Sequence, residues 1–283
     1  MKYALSCFLA LAMAAPAAAT SLRITVTNDA QENGFALTPV YTAFHNGDFD
    51  SYNPGEAATL GLEALAEVGN FAPIRDERIA ATTDQGNPSA GAVFSSFTPD
   101  GGRRPLFGGE SATVDVELTN VATQRYFSFL SMVIPTNDLF IANGDPFAFE
   151  LFDAQGNFLG DREIKVTGAA IRDAGTEVND RTFGVAFAAG QNGGEGAVEN
   201  GVVTTNGYDE LIRYVGLDTA GGFTIDPALK NTLLDFSADE FAVATIRIES
   251  VAPVPLPASS LMLLSAVGFA GFVARRKHKA RTA

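Results

Sequence analysis

The chain is 283 residues long with one cysteine, two histidines and no tryptophan, and its 33 acidic residues outnumber 19 basic ones for a formal net charge of −14. That composition excludes iron–sulfur ligation, cysteine zinc sites and histidine-rich metal centres, which need several thiolate or imidazole ligands. It also argues against nucleic acid or anionic lipid as a partner and favours divalent cations and cationic surfaces.

Export is written at the N-terminus. Lys2 precedes an apolar run from Ala4 to Ala15, and Pro16-Ala17-Ala18-Ala19 forms a small-residue cleavage site. Residues 1–19 therefore read as a secretory signal peptide, with a mature start at Thr20. Cys7 lies inside the apolar run and leaves with it, whereas a lipidated cysteine would follow that run. Residues 20–253 then form one cysteine-free domain, long enough to bury a core without disulfides. Six basic residues and no acidic ones lie outside it, leaving 13 basic against 33 acidic and a net charge of −20. His278 falls in the tail, so His45 is the single histidine of the exported body.

Along the body, the pattern is mostly strand and turn. Leu22, Ile24 and Val26 alternate with Arg23, Thr25 and Thr27 as in a half-buried antiparallel strand. Thr38 to Phe44 is a second candidate, followed by turns at His45 to Asp50 and at Asn53-Pro54-Gly55. Glu56 to Val68 is the one convincing helix of the body. At 3.6 residues per turn, Ala57, Leu60, Ala64, Leu65 and Val68 share an apolar face, while Glu56, Glu63 and Glu67 line a solvated one. Gly69-Asn70 stops it, and Pro73 follows.

Further strands are predicted at Ala92 to Phe97, Ala112 to Leu118, Pro146 to Phe152, Thr182 to Ala188 and Ala242 to Ser250. Turns are expected at Pro99 to Gly102 and Asp153 to Asn157, and a flexible loop at Gly190 to Gly196. The centre of the body is Tyr126 to Ile134, apolar or small on both strand faces, as in a strand covered on both sides. Pro135 ends it, leaving Asn137 and Asp138 on the loop beyond, where function is commonly mounted. Short strands with regular turn signals and 22 phenylalanines indicate an all-β antiparallel sandwich with one short helix.

From Val254 the character changes. Val254-Pro255-Leu256-Pro257-Ala258 leads into an uncharged run from Ser259 to Ala274, and Arg275, Arg276, Lys277, Lys279 and Arg281 follow. The run is short for a membrane helix of about 20 residues, yet counting from Pro255 reaches that length. The basic end places the C-terminus on the cytoplasmic side. Motif, apolar segment and basic end together resemble the VPLPA variant of the PEP-CTERM sorting signals of Gram-negative bacteria. The resemblance implies recognition by an exosortase-type membrane protease after a transient single-pass insertion, then release or transfer to the cell surface or matrix; the alternative is a permanent single-span anchor.

Two acidic loops remain, one holding Asp138 and the other Arg172-Asp173-Ala174-Gly175-Thr176-Glu177. Gly175 lets the backbone turn so that Asp173 and Glu177 converge. By spacing alone these residues read as turn caps sooner than as ligands of a hard cation. Three segments together resemble the spondin N-terminal domain, bacterial members included: FHNGDFDSYNPGEAATLGLEALAEVGN (44–70), SFLSMVIPTNDLFIANGD (128–145) and RDAGTE (172–177). The resemblance implies a C2-like β-sandwich with a Ca2+ site, whose ligands fall on Asp138, Asp173 and Glu177. Glu177 departs from the usual aspartate, and its extra methylene changes the mode of ligation. The Asp48/Asp50/Glu56 group lacks the spacing of an EF-hand loop and reads as turn formers. His45 beside Asp48 would be half of a hydrolase dyad, but no nucleophile elbow accompanies it, and a polar histidine at a sheet edge is the simpler reading.

The expectation is an exported, non-enzymatic, calcium-binding protein of the cell surface or extracellular matrix, acting in adhesion toward exopolysaccharide or surface proteins. The alternatives are a secreted hydrolase of matrix polymers, which needs paired carboxylates about 5–9.5 Å apart, and a passive coat protein that binds its own copies.

Overall fold

The computed structural model describes residues 20–81 and 102–251 and the backbone of two strands, Gly91–Phe94 and Ser96–Phe97. The signal peptide, the Pro99-Asp100-Gly101 turn, the Val254 to Ala258 motif, the 259–274 segment and the basic tail lie outside the described residues. In chain order the elements are β1 (Thr20–Asn28), β2 (Ala36–Leu37), β3 (Val40–His45), α1 (Leu60–Val68), α2 (Ala72–Ala81), β4 (Gly91–Phe94), β5 (Ser96–Phe97), β6 (Arg103–Arg104), β7 (Ser111–Leu118) and β8 (Tyr126–Ile134). They continue with β9 (Leu139–Ala142), β10 (Arg162–Thr167), β11 (Ile171–Asp173), α3 (Gly207–Glu210), α4 (Leu229–Asp235) and β12 (Ala242–Ser250).

Two antiparallel sheets make the sandwich. One runs β10-β12-β1-β7, and the other runs β11-β9-β8-β3-β4 with β2 added beside β8. The first has a polar outer face, as its alternation requires. There Arg23 forms a two-pronged ion pair with Asp115 at 2.8 Å, and Thr25 bonds Thr113 at 2.9 Å. Its inner face, with Leu22, Ile24, Val26, Ile246 and Ile248, packs with Phe127, Phe129 and Val133 of β8 in one core.

The opposite face of β8 is covered too, but by helices. Leu130 joins Tyr41, Ala43 and Phe140 in packing with Leu62, Leu65, Ala66 and Ile74 of α1 and α2. The described residues of the body thus stack in three layers, sheet on sheet with a helical pair outside, and β8 lies in the middle layer. An uninterrupted apolar strand is what that position demands.

The helices correct the periodicity reading. The helix begins at Leu60 rather than Glu56, because the Thr59 hydroxyl accepts from Leu62 N–H at 3.1 Å and caps it there. Its buried face is Gly61, Leu62, Leu65 and Ala66, while Leu60 and Val68 are 79% and 51% exposed. Gly69 does close it, at φ 67°. Pro73 does not mark a gap but lies in the first turn of α2, where a missing N–H is no loss. Glu77 of α2 reaches back, accepting from Gly61 N–H and the Thr59 hydroxyl, each at 2.7 Å. Thr59→Ala removes both contacts of that hydroxyl and should lower stability by about 1 kcal/mol, read by urea denaturation.

Two predicted strands are not strands. Pro146 to Phe152 makes turns and single bridges, with Phe147 57% exposed. Thr182 to Ala188 is likewise a series of turns, with Gly184 and Phe187 both at positive φ. The Gly190 to Gly196 loop is packed down rather than loose: Cβ atoms on Gly193 and Gly196 would sit 2.6 Å from the Glu67 carbonyl and the Glu177 carboxyl carbon. Among the described residues no helix is long and apolar enough to cross a membrane.

Candidate functional site

The loop that follows β8 is fully buried. Thr136, Asn137 and Asp138 are each 0% exposed, although connecting loops commonly run over the surface. They are covered by two later segments: Ala174 N–H donates to the Asp138 carbonyl, Ala186 N–H to the Thr136 carbonyl, and the Asn137 amide to the Phe183 carbonyl. β9 carries the chain away from this loop, and β11 pairs with it so that Asp173 lies opposite Leu139. Topology therefore brings Asp138 and Asp173 side by side from positions 35 apart in sequence.

Each carboxylate has its own setting. Asp138 Oδ2 accepts from Thr176 N–H at 2.8 Å, from Glu177 N–H at 3.1 Å and from the Thr176 hydroxyl at 3.3 Å, stitching the 175–177 turn in place. Asp173 Oδ1 accepts from Gly175 N–H and its Oδ2 from the Asn179 amide, both at 2.7 Å. Glu177 Oε1 accepts from Gly196 N–H at 2.7 Å. The turn needs glycine at 175: φ is 67°, and a Cβ would meet the Val202 carbonyl oxygen at 2.5 Å.

A neutral network ties this patch to the remainder. The Tyr214 hydroxyl lies 2.8 Å from Asn137 Oδ1 and 2.7 Å from Asn179 Oδ1, with one phenolic proton between two acceptors. Burial raises the Tyr214 pKa, with the charges of Asp138 and Asp173 adding to it, so the group stays neutral.

Among the described residues two buried carboxylate oxygens have no hydrogen-bond donor, Asp138 Oδ1 and Glu177 Oε2. A buried, unsatisfied carboxylate is expensive unless a proton or cation joins it. Burial and the neighbouring Asp173 charge push Asp138 up to about 7, and burial with the charge of Glu67 pushes Glu177 to about 7. Burial also raises Asp173. Beside them opens a cleft of about 480 Å³, lined by Asp173, Glu199, Glu210, Asn179, Thr204 and Arg213.

The donor chemistry, hard oxygens without protein partners, fits a hard cation such as calcium. The arrangement differs from three ligands around one point: Asp138 is paired with Asp173, while Glu177 faces Glu67 and Glu63 of α1. Among the described residues no three His, Cys, Asp or Glu side chains form a group spaced to hold a metal ion. Sequence reasoning missed Glu67, Asn179 and Tyr214. The acidic i, i+4 pair Glu63/Glu67 was the available signal for the first; nothing local marks the other two.

His45 is fully buried on β3, an interior strand, and not at a sheet edge. Gly47 N–H donates to its Nδ1 at 3.1 Å, so Nε2 carries the proton and donates to Ser128 Oγ at 2.9 Å. Ser128 Oγ also accepts from the Asn143 amide at 3.0 Å. An imidazole that donates to the hydroxyl is not poised to take its proton. Burial, with Arg78 nearby, lowers His45 to about 4. The unfolded chain binds this proton below 6.5 and the folded chain does not until about 4. Stability from this group is therefore full above pH 6.5 and is lost as pH falls toward 4. The difference is up to about 3 kcal/mol. Asp138 and Glu177, raised to about 7, titrate in the same window with the opposite sign, so the His45 contribution is read as the difference between wild type and His45→Gln in urea denaturation at pH 7 and 4.5.

No curated protein matches the chain. Residues 253–277 match the PEP-CTERM protein-sorting motif. The C-terminal end of this chain thus marks an exported protein that an exosortase recognises and processes at the cell envelope.

Proposed function

We propose that the exported body is a non-catalytic, calcium-stabilised module that acts at the cell surface or in the extracellular matrix, in adhesion to matrix polymers or surface proteins. The observation that carries the calcium reading is the pair of donorless buried oxygens, Asp138 Oδ1 and Glu177 Oε2, in a patch that also holds Asp173. The spondin-type likeness of segments 44–70, 128–145 and 172–177 points to the same three acids. The ion would be held at the Asp138–Asp173 pair, with carbonyls and water completing its six to eight oxygens and Glu177, which faces Glu67 and Glu63, joining by a change of side-chain rotamer. The ion would neutralise buried negative charge and fasten the 136–138 loop to the 173–177 turn. Adhesion is the role we infer for a body with a spondin-type likeness that is exported and processed at the cell envelope.

Equilibrium dialysis with radioactive calcium tests the reading. The wild-type chain should bind with a Kd of about 0.1–1 mM, the range of extracellular modules, and Asp173→Asn should weaken binding. A chain that takes up no calcium at 10-fold higher concentrations would refute it.

A further inference from the structure

Helix α1 carries Glu63 and Glu67 one turn apart, and an amphipathic reading sends both to water. Both are instead part-buried. Their charges bear on Glu177, and the Thr176 hydroxyl is within reach of Glu67 as well as of Asp138 Oδ2, with one proton for the two. Segment 193–196 lies over the two carboxylates. Gly193 packs on the Glu67 carbonyl, a Cβ on Gly194 would come within 3.8 Å of Glu67 Oε2, and Gly196 N–H binds Glu177 Oε1. Glu177 is 3% exposed and its Oε2 has no donor. Among the described residues no ion pair involves Glu63, Glu67 or Glu177. Covered like charges with no protein cation and an unpartnered oxygen are relieved by a proton or by a counter-ion from solution.

We propose that Glu67 and Glu177 bind a divalent cation under the 193–196 segment, making α1 a direct contributor to the cation chemistry of this face. The inference rests on the calcium reading through Glu177, and it adds a ligand which the spondin-type pattern does not contain. Gly196 is the glycine this close approach requires, since a Cβ there would sit 2.6 Å from the Glu177 carboxyl carbon.

The test uses the full chain in detergent, with terbium luminescence excited through tyrosine and displaced by calcium. Glu67→Gln should weaken calcium competition by about tenfold or more, at least the contribution of an outer-shell partner. In chelator the same variant should melt no lower than wild type, because the amide removes a like charge. If the wild type shows no calcium-displaceable luminescence, this inference and the calcium reading both fall. If Asp138→Asn weakens binding while Glu67→Gln binds as wild type does, the reading stands and the inference is overturned. If Glu67→Gln weakens binding while Asp138→Asn does not, the inference holds and the ion belongs to α1 rather than to the loop after β8. A Glu67→Gln chain that melts far lower in chelator would mark a packing role and overturn the inference.

Discussion

Phe127→Ala is expected to lower the unfolding free energy by about 3–5 kcal/mol, as for other fully buried aromatic truncations. Phe127 is 0% exposed on β8, edge-on to Phe44 at 5.5 Å between ring centroids, with the β1 and β12 side chains closing the same core. A strand covered on both faces cannot relax outward when a ring is removed, so most of the cavity persists. Leu60→Ala is the contrasting control. Leu60 is 79% exposed, and its loss should stay within about 0.5 kcal/mol. Guanidinium melts of the two variants would settle whether β8 is the middle layer and whether α1 turns the face described here toward it.

The second large effect is at Asp138. Asp138→Ala leaves the Thr176 and Glu177 amides buried without an acceptor. Each such loss costs about 1–3 kcal/mol, so a total of about 2–5 kcal/mol is expected even in chelator. Asp138→Asn keeps an oxygen for those amides and places an NH2 where Oδ1 now lacks a donor, next to the Asp173 carboxylate. In chelator it should therefore be close to neutral or mildly stabilising. The pair separates the stitching role of Oδ2 from the role of Oδ1: alanine destroys both, asparagine the second alone.

The sandwich could be read from the chain because its strands alternate cleanly. Leu22, Ile24 and Val26, or Ile246 and Ile248, can bury themselves together in no other way than on one strand face. The double covering of β8 was equally legible, but not the identity of its cover, since α2 has too few apolar residues for its periodicity to stand out. The phase of α1 was misread for a physical reason. Leu60 and Val68 fit the helical period but sit next to the cap residues Thr59 and Gly69, and capping, not hydrophobicity, places the helix ends. Pro146 to Phe152 alternates like a strand, yet its phenylalanines pack on neighbouring rings, Phe147 against Tyr126 and Phe149 against Phe129, without a ladder. At the acidic patch, Asp138 and Asp173 were legible as a pair only through the family resemblance. The Glu177–Glu67 pairing depends on how a glycine-rich segment folds across α1, which no local pattern encodes.

The account stands on a cation filling the buried oxygens of the acidic patch. The most direct test is thermal unfolding of the full chain with 10 mM calcium and with chelator, beside Asp138→Asn. Calcium at about 10–100 times Kd should stabilise the wild type by about 1.4–2.7 kcal/mol. That is a rise in Tm of several degrees for a domain of this size, and Asp138→Asn should lose most of it. Identical melting of the wild type in both buffers would contradict the account and leave the carboxylates as proton-sharing turn caps on an exported sandwich.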